Sequence, residues 1–454
     1  MPIQSINPLT NEVIQEFEEH TDQDIEKVLT QAQDTYERWK KVPFAERSER
    51  MYAAARQLRQ RKEHYGQLMT DEMGKTKSEA ISEVEKCALA CDYYAEYAPQ
   101  FLADEPLTPP EGEAYIAYDP IGPVLAIMPW NFPFWQVIRF AAPALMAGNV
   151  GILKHASNVP QCALALEEVF REAGFPQGAF QTLLIPSKKV DRMLEDRRIK
   201  AATLTGSEGA GSKVAQKAGE QIKKTVLELG GSDPFIVLPD ANIAQAAEIG
   251  VKSRMINCGQ SCIAAKRFII HRDVADEFIT LFTQKMQALT QGNPNEDGVD
   301  YGPMAREDLA NDLLEQVRKS VDQGAEVLVG GERSDQPGAF FPATVLTNIS
   351  PGMPAYDEEL FGPVASVFVV DDEDEAARLA NDSRYGLGGS VWTQDIARGR
   401  AFVRRIESGA VYINKMVASH PAVPFGGVKL SGYGRELSHL GIREFVNQKT
   451  IWVG

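Results

Sequence analysis

The sequence predicts an α/β protein with two sheet systems, and three features carry that expectation. From about Ala114 short apolar runs alternate with helical stretches, the pattern of parallel strands joined by crossover helices. A glycine pair, Gly230 and Gly231, interrupts the series, and a second series of the same texture follows it. At 454 residues the chain also exceeds what one ordinary core accommodates.

The first hundred residues read as mostly helical. TDQDIEKVLTQAQDTYERWKKV opens on polar caps, and FAERSERMYAAARQLRQRKEHYGQLMTDEMG ends on a glycine stop. SEAISEVEKCALACDYYAEYA holds Cys87 and Cys91 among Ile81, Val84 and Ala88, so both thiols read as small core-filling groups. Next come AYIAYD and PVLAIMPW as strands, WQVIRFAAPALMAG as a helix, VGILKHA as a strand, and CALALEEVFREAG as a helix closed by Gly174. AFQTLLI, KAATLTG and TVLELGG continue the alternation. Beyond the glycine pair, DPFIVLPDAN leads through a long helical stretch to NCGQSC, then to RFIIHR, ATVLTNI, VASVFVVD, GGSVWT and GAVYIN. The acidic run DDEDEAARLAND reads as a solvated helix start.

A net charge of -16 argues against a nucleic-acid surface, which needs clustered Lys and Arg. It also means that an anionic substrate needs a local cation in its site. The start MPIQSINPLTNEV lacks a basic stretch followed by an apolar run, and no segment approaches the roughly 20 apolar residues of a membrane span. The expectation is a cytoplasmic protein with no membrane partner. Five cysteines, at 87, 91, 162, 258 and 262, are odd in number and irregular in spacing, which suits reduced thiols.

Several short stretches carry chemistry. TLTGSEGAG, Thr203 to Gly211, is a glycine turn feeding a helix N-terminus, where backbone N–H groups hold a phosphate or merely shape a flexible turn. In PWNFPFWQVIR, prolines at 129 and 133 stiffen the turn around Asn131, whose fixed amide suits an oxyanion donor as well as an aromatic packing corner. Arg139 is the only charge between Asp119 and Lys154. A buried guanidinium there either pairs with a distant carboxylate or awaits a carboxylate ligand. Glu228 ends a strand beside flexible glycines, as a swinging general base or an ordinary strand terminus.

NCGQSC offers Cys258 and Cys262. A zinc site lacks a second metal-spaced pair, so no metal is expected. A disulfide four residues apart is awkward in a helix. A nucleophile fits better: Cys262 precedes the helix-compatible IAA, and N–H groups at a turn or helix start would stabilise its thiolate. No histidine has a telling neighbourhood, which leaves open an acyl intermediate cleared by a Glu-activated water.

Together PWNFP, GSEGAG, ELGGSDP, NCGQSC, EELFGPV (358–364) and PFGGVKLSGYGRE (424–436) resemble, in order and over essentially the whole chain, the NAD(P)-dependent aldehyde dehydrogenase superfamily. Within it the chain is most similar to the succinate-semialdehyde dehydrogenases of the shorter bacterial type. The resemblance implies a Rossmann-like cofactor domain over 1–100 and 121–229 and an α/β catalytic domain over 230–430. It also implies a small β oligomerisation element over 101–120 and 431–454, in a homodimer or homotetramer. Ala114–Asp119 would pair there with NQKTIWV.

By the same resemblance Cys262 is the nucleophile, Glu228 the general base and Asn131 the oxyanion donor. Trp130, Lys154, Gly206, Ser207, Gly211, Glu359 and Phe361 fall at cofactor positions, and Arg139, Trp135, Ser261 and Ser419 at the substrate. NAD-preferring members often carry Glu three residues after the lysine; here Ser157 stands there, which favours NADP, with NAD the weaker alternative. Some relatives bind the substrate carboxylate with a second arginine and carry a second cysteine for a redox switch, where this chain has Ile256 and Ala264. The expected reaction is oxidation of succinic semialdehyde. Broader aliphatic or glutarate-semialdehyde oxidation is the alternative, and a thiol esterase the reading from another class.

Overall fold

The computed structural model of the chain describes residues 3–454. Five parallel strands form the core of one sheet, in the spatial order Lys224–Glu228, Ala201–Thr205, Pro123–Met128, Val150–His155 and Phe180–Thr182. The strands Val150–His155 and Ala201–Thr205 are buried at every position, because helices cover both faces of a parallel sheet. The chain begins at the central strand, builds one side, and returns to build the other. That reversal opens a crevice between the carboxyl ends of Pro123–Met128 and Ala201–Thr205. PWNFP and GSEGAG are the loops at those two ends.

At Gly230–Gly231 the chain crosses to a seven-stranded sheet. Its order is Glu326–Val329, Thr344–Thr347, Val364–Val370, Ala265–His271, Asp233–Val237, Gly388–Trp392 and Ala410–Ile413, parallel except for the first strand. Cys262 immediately precedes the strand Ala265–His271, and Phe361 precedes Val364–Val370. The second sheet thus brings the amino ends of its strands to the crevice that the first sheet opens at its carboxyl ends.

Glu113–Pro120 pairs antiparallel with Val446–Val453 and with Glu105–Leu107 in a third, small sheet. Trp452 and Val453 on it are more than half exposed. The stretch between 431 and 445 does not join this sheet. Gly432–Tyr433 extends the first sheet beside Lys224–Glu228, and Leu437, Ile442 and Phe445 sit in the first core. The tail therefore serves two layers.

Ahead of the helical stretches read from the sequence the chain is extended. Ile3–Ile6 and Val13–Phe17 form an antiparallel hairpin whose second strand is mostly exposed, so burial leaves no alternating signature in its sequence. Cys87, Cys91 and Cys162 are buried in the core beneath the first sheet's helices.

Candidate active site

The two sheets face one cleft of about 270 Å³, lined by Trp130, Asn131, Gly206, Ser207, Cys262 and Phe361, with Glu359 beside them. The Trp130 and Phe361 rings meet edge to face at 5.8 Å, one from each sheet system. A larger surface hollow of about 660 Å³ lies by the N-terminal hairpin and contains none of these residues.

NCGQSC takes up an uncommon backbone. Asn257, Cys258 and Gly259 have φ of 56°, 54° and 72°, three left-handed residues in succession. For the two non-glycine residues this costs on the order of 1–3 kcal/mol each, so neighbouring bonds must hold it. Glu79 accepts from the Asn257 N–H (2.8 Å), Arg254 donates to the Gly259 carbonyl (2.6 Å), and Gln260 Oε1 accepts from the Ala305 N–H (2.9 Å). Gly259 is required because a Cβ there would lie 2.2 Å from the Gly362 carbonyl oxygen. The segment after Cys262 is a turn into a strand, so of the two backbones expected beside the thiol, a turn or a helix start, the turn is the one present.

Asn131 and the cysteine loop are stitched together. Asn131 Nδ2 donates to the Gln260 carbonyl (3.0 Å), and Asn257 Nδ2 donates to the carbonyls of Asn131 (2.7 Å) and Gln260 (3.1 Å). One Asn131 N–H fixes the side chain and the second stays free for a ligand oxygen. Burial pushes the Cys262 thiol up to about 12, while Arg139 and Lys266 pull it down. Cys258 is buried, free, and pushed far above the usual thiol range by burial.

Glu228 is buried at its strand end, and its carboxylate turns toward the loop at Gly426: a Cβ on that residue would lie 2.8 Å from Glu228 Oε1. Burial foremost, then the nearby Glu436 carboxylate, push its carboxyl well above the usual range, with Arg139 opposing. The structure does not bring this carboxylate to the Cys262 wall; side-chain rotation is needed for the two to meet.

Arg139 corrects one expectation. Its guanidinium forms a buried ion pair with Glu436, donates to Thr205 Oγ1 (3.3 Å) and lies over the Phe425 ring at 4.7 Å. The charge expected to await a ligand carboxylate is met by a carboxylate of the chain itself, since a buried cation is stable only when paired. Gly211 is a second correction. It does not line the cleft; a Cβ there would lie 2.6 Å from Leu229 Cδ2, so it permits close helix-on-strand packing. Ser261 is buried, its carbonyl accepting from Lys266 Nζ (2.8 Å), and it is not part of the cleft wall. Glu359 does reach the cleft, but its carboxylate accepts from the Gly231 N–H (3.1 Å) and pairs with Lys266 (3.2 Å).

Trp135 and Ser419 do come together. Trp135 Nε1 donates to Ser419 Oγ at 3.0 Å, and Lys86 Nζ donates to the same oxygen at 2.8 Å. The helix Lys77–Phe101 is the one read from the sequence, but the part its charged residues play in the site escaped sequence reasoning. Glu79, Glu83 and Lys86 follow at spacings of four and three, one helical face, and each serves the site. Glu79 holds the cysteine loop, Glu83 Oε1 accepts the Phe134 and Trp135 N–H groups (2.9 Å each), and Lys86 meets Trp135 and Ser419. The charged i, i+4, i+7 stripe in a helix with buried alanines and cysteines was the available signal.

Two features suit a dinucleotide. Ser207 caps the helix Glu208–Glu220, its hydroxyl accepting from the Ala210 N–H (3.3 Å), at the crevice where the strand order reverses. A Cβ on Gly206 would meet only Leu204, at 3.6 Å, so backbone is open to close approach. Lys154 is buried, with no ion-pair partner among the described residues, and Ser157 is exposed. Among the described residues no group of three His, Cys, Asp or Glu could hold a metal ion, and no helix is long and apolar enough to cross a membrane.

Comparison with known proteins gives concordant results. Residues 1–451 match the model of the aldehyde dehydrogenase family. The chain is 53% identical over 453 residues to a probable succinate-semialdehyde dehydrogenase [NADP(+)] of Synechocystis sp., covering 100% of both chains. It is 50% identical to a succinate-semialdehyde dehydrogenase [NADP(+)] of Mycobacterium avium, covering 100% of this chain and 97% of the relative. Among solved structures it superposes on succinic semialdehyde dehydrogenase from Streptococcus pyogenes in complex with NADP+, with a TM-score of 0.98, 40% identity and 99% of both chains covered.

Proposed function

The chain belongs to the aldehyde dehydrogenase family, and we propose that it oxidises succinic semialdehyde to succinate, with NADP preferred and NAD a weaker substitute. The observation that carries the reading is one cleft in which Cys262, the Asn131 amide and the Gly206–Ser207 turn share a wall. The substrate and the NADP preference are supported by the relatives named above and by Ser157, whose neutral hydroxyl stands where a carboxylate would repel a 2′-phosphate.

The chain's own groups divide the work. The Cys262 sulfur adds to the aldehyde carbon, and the oxyanion that forms is held by the free Asn131 N–H and the Cys262 backbone N–H. Gly206 and Ser207, with Trp130 beside them, would hold the pyrophosphate of the dinucleotide, Lys154 its adenosine ribose, and Glu359 and Phe361 its nicotinamide ribose; bound there, it would supply the hydride acceptor that takes the Cys262 adduct to the thioester level. Glu228 rotates out of the Gly426 pocket, takes a proton from water, and that water releases the acid. Arg139 and Glu436 set the basicity of Glu228 from behind the site. The exposed edge of the third sheet, with Trp452, supports assembly into a dimer or tetramer, and the protein acts in the cytoplasm.

The test is a panel of initial rates on succinic semialdehyde, glutarate semialdehyde and butanal, each with NAD and NADP. The highest kcat/KM is expected for succinic semialdehyde with NADP. Equal or better turnover with NAD overturns the cofactor preference, and a higher value for another aldehyde overturns the substrate.

A further inference from the structure

The geometry points to Lys86, with Ser419 and Trp135, as the clamp that holds a carboxylate at the far end of a short aldehyde substrate. This rests on the reading of Cys262 as the site of aldehyde addition, and it assigns the recognition that the pairing of Arg139 with Glu436 leaves unassigned.

Three donors converge on one spot. Lys86 Nζ lies 2.8 Å from Ser419 Oγ and 4.1 Å from the centre of the Trp135 ring. Trp135 Nε1 donates to the same hydroxyl oxygen at 3.0 Å. With two donors on its oxygen, Ser419 must turn its own proton outward, and Lys86 keeps two N–H groups beyond the one it gives Ser419. An ammonium with two unused donors and a hydroxyl whose oxygen the indole N–H holds in place form a set suited to an anionic oxygen pair.

No carboxylate of the chain neutralises Lys86. Among the described residues no Asp or Glu oxygen lies within ion-pair distance of Nζ. Glu83, one turn earlier on the same helix, is committed elsewhere: it pairs with Lys75 and accepts the Phe134 and Trp135 N–H groups. Burial, reinforced by the positive charge of Arg139, pulls the Lys86 ammonium down to about 8. A supplied carboxylate relieves that burden, whereas an uncharged chain end does not.

The position adjoins the cysteine loop. Lys86 lies within electrostatic reach of the Cys262 thiol. Lys86 lines a cavity of about 320 Å³ with Phe132, Trp135, Ile256 and Asn257, which flank Asn131 and the cysteine loop; Glu79 and Glu83 line it too, but Glu79 accepts the Asn257 N–H and Glu83 accepts the Phe134 and Trp135 N–H groups and pairs with Lys75. Three C–C bonds of about 1.5 Å separate the two ends of a four-carbon semialdehyde by about 4 Å when extended. In a chain of net charge -16 a local cation is also what lets an anion enter.

The experiment compares kcat/KM for succinic semialdehyde and for butanal, with NADP, in the wild type, Lys86→Met, Lys86→Arg and Ser419→Ala. The expected result is a selectivity for succinic semialdehyde over butanal that falls about 10–100-fold in Lys86→Met, as for loss of a charge-assisted hydrogen bond. Lys86→Arg restores much of it, and Ser419→Ala loses a smaller share. Inhibition by succinate weakens in parallel. If both substrates fall equally in Lys86→Met and Lys86→Arg does not restore the ratio, the residue is structural and the assignment is wrong. If the wild type prefers succinic semialdehyde and Lys86→Met keeps that preference, Lys86 fails while the proposed reaction stands. A wild type without the preference overturns both.

Discussion

Replacing Arg139 by Met separates a structural pair from a ligand clamp. The guanidinium and the Glu436 carboxylate are 2% and 6% exposed, so removing one partner leaves an uncompensated buried charge, at a cost of about 3–5 kcal/mol. Unfolding entropy of about 2.1 cal/mol/K per residue amounts to roughly 1 kcal/mol/K for a chain of this length, if it unfolds as one unit. A Tm lower by about 3–5 °C is therefore expected by calorimetry. The deficit depends on pH. Glu228 and Glu436 have carboxyls raised by burial, and Arg139 opposes the rise in both. Groups raised in the fold stabilise it fully below the ordinary Glu range, and that contribution declines as pH climbs through the raised values. Without Arg139 the values rise further, so the Tm deficit is larger at pH 8 than at pH 5. Adding Glu436→Gln to Arg139→Met recovers most of it, since a neutral pair replaces an orphaned charge. Turnover of succinic semialdehyde and butanal falls by a common factor. An unchanged Tm, or a loss confined to the carboxylate-bearing aldehyde, refutes the reasoning and returns Arg139 to the substrate.

Asn131→Ala removes one oxyanion donor and lowers kcat by about 100–1,000-fold, with little change in Tm, as steady-state rates and calorimetry together would show. With the Cys262 thiol pushed up to about 12, alkylation of the protein by iodoacetamide at that residue accelerates about tenfold per pH unit between 7 and 9; a plateau in that range contradicts the burial described. Ser157→Glu sets a carboxylate toward the 2′-phosphate position and raises KM for NADP at least about tenfold, about 1.4 kcal/mol, while KM for NAD falls or holds.

Much of the site was legible because its chemistry is local. The stiff PWNFP turn, the glycines of GSEGAG, the Glu before a glycine pair and the Cys in NCGQSC each announce a backbone constraint or a reactive group in a few residues, and Asn131, Gly206, Ser207 and Cys262 do share one cleft. The role of Gly211 was misread because a glycine that lets Leu229 approach looks, in sequence, like one that admits a phosphate. The choice of a turn over a helix start after Cys262 has a similar cause: small residues permit either, and the strand Ala265–His271 is fixed by its neighbours Asp233–Val237 and Val364–Val370.

By itself the sequence determined the alternation of buried strands and helices and the crossing at Gly230–Gly231, which follow from the periodicity with which apolar residues meet a core; the pairing of Ala114–Asp119 with the C-terminal strand was implied by the family resemblance instead. Only the tertiary structure decided who neutralises whom. Arg139 finds Glu436 across the fold, Glu228 turns to Gly426 and away from Cys262, and Lys86 faces Ser419 with no carboxylate of its own. A buried charge is defined by what lies opposite it, and what lies opposite comes from distant segments that the local pattern does not name.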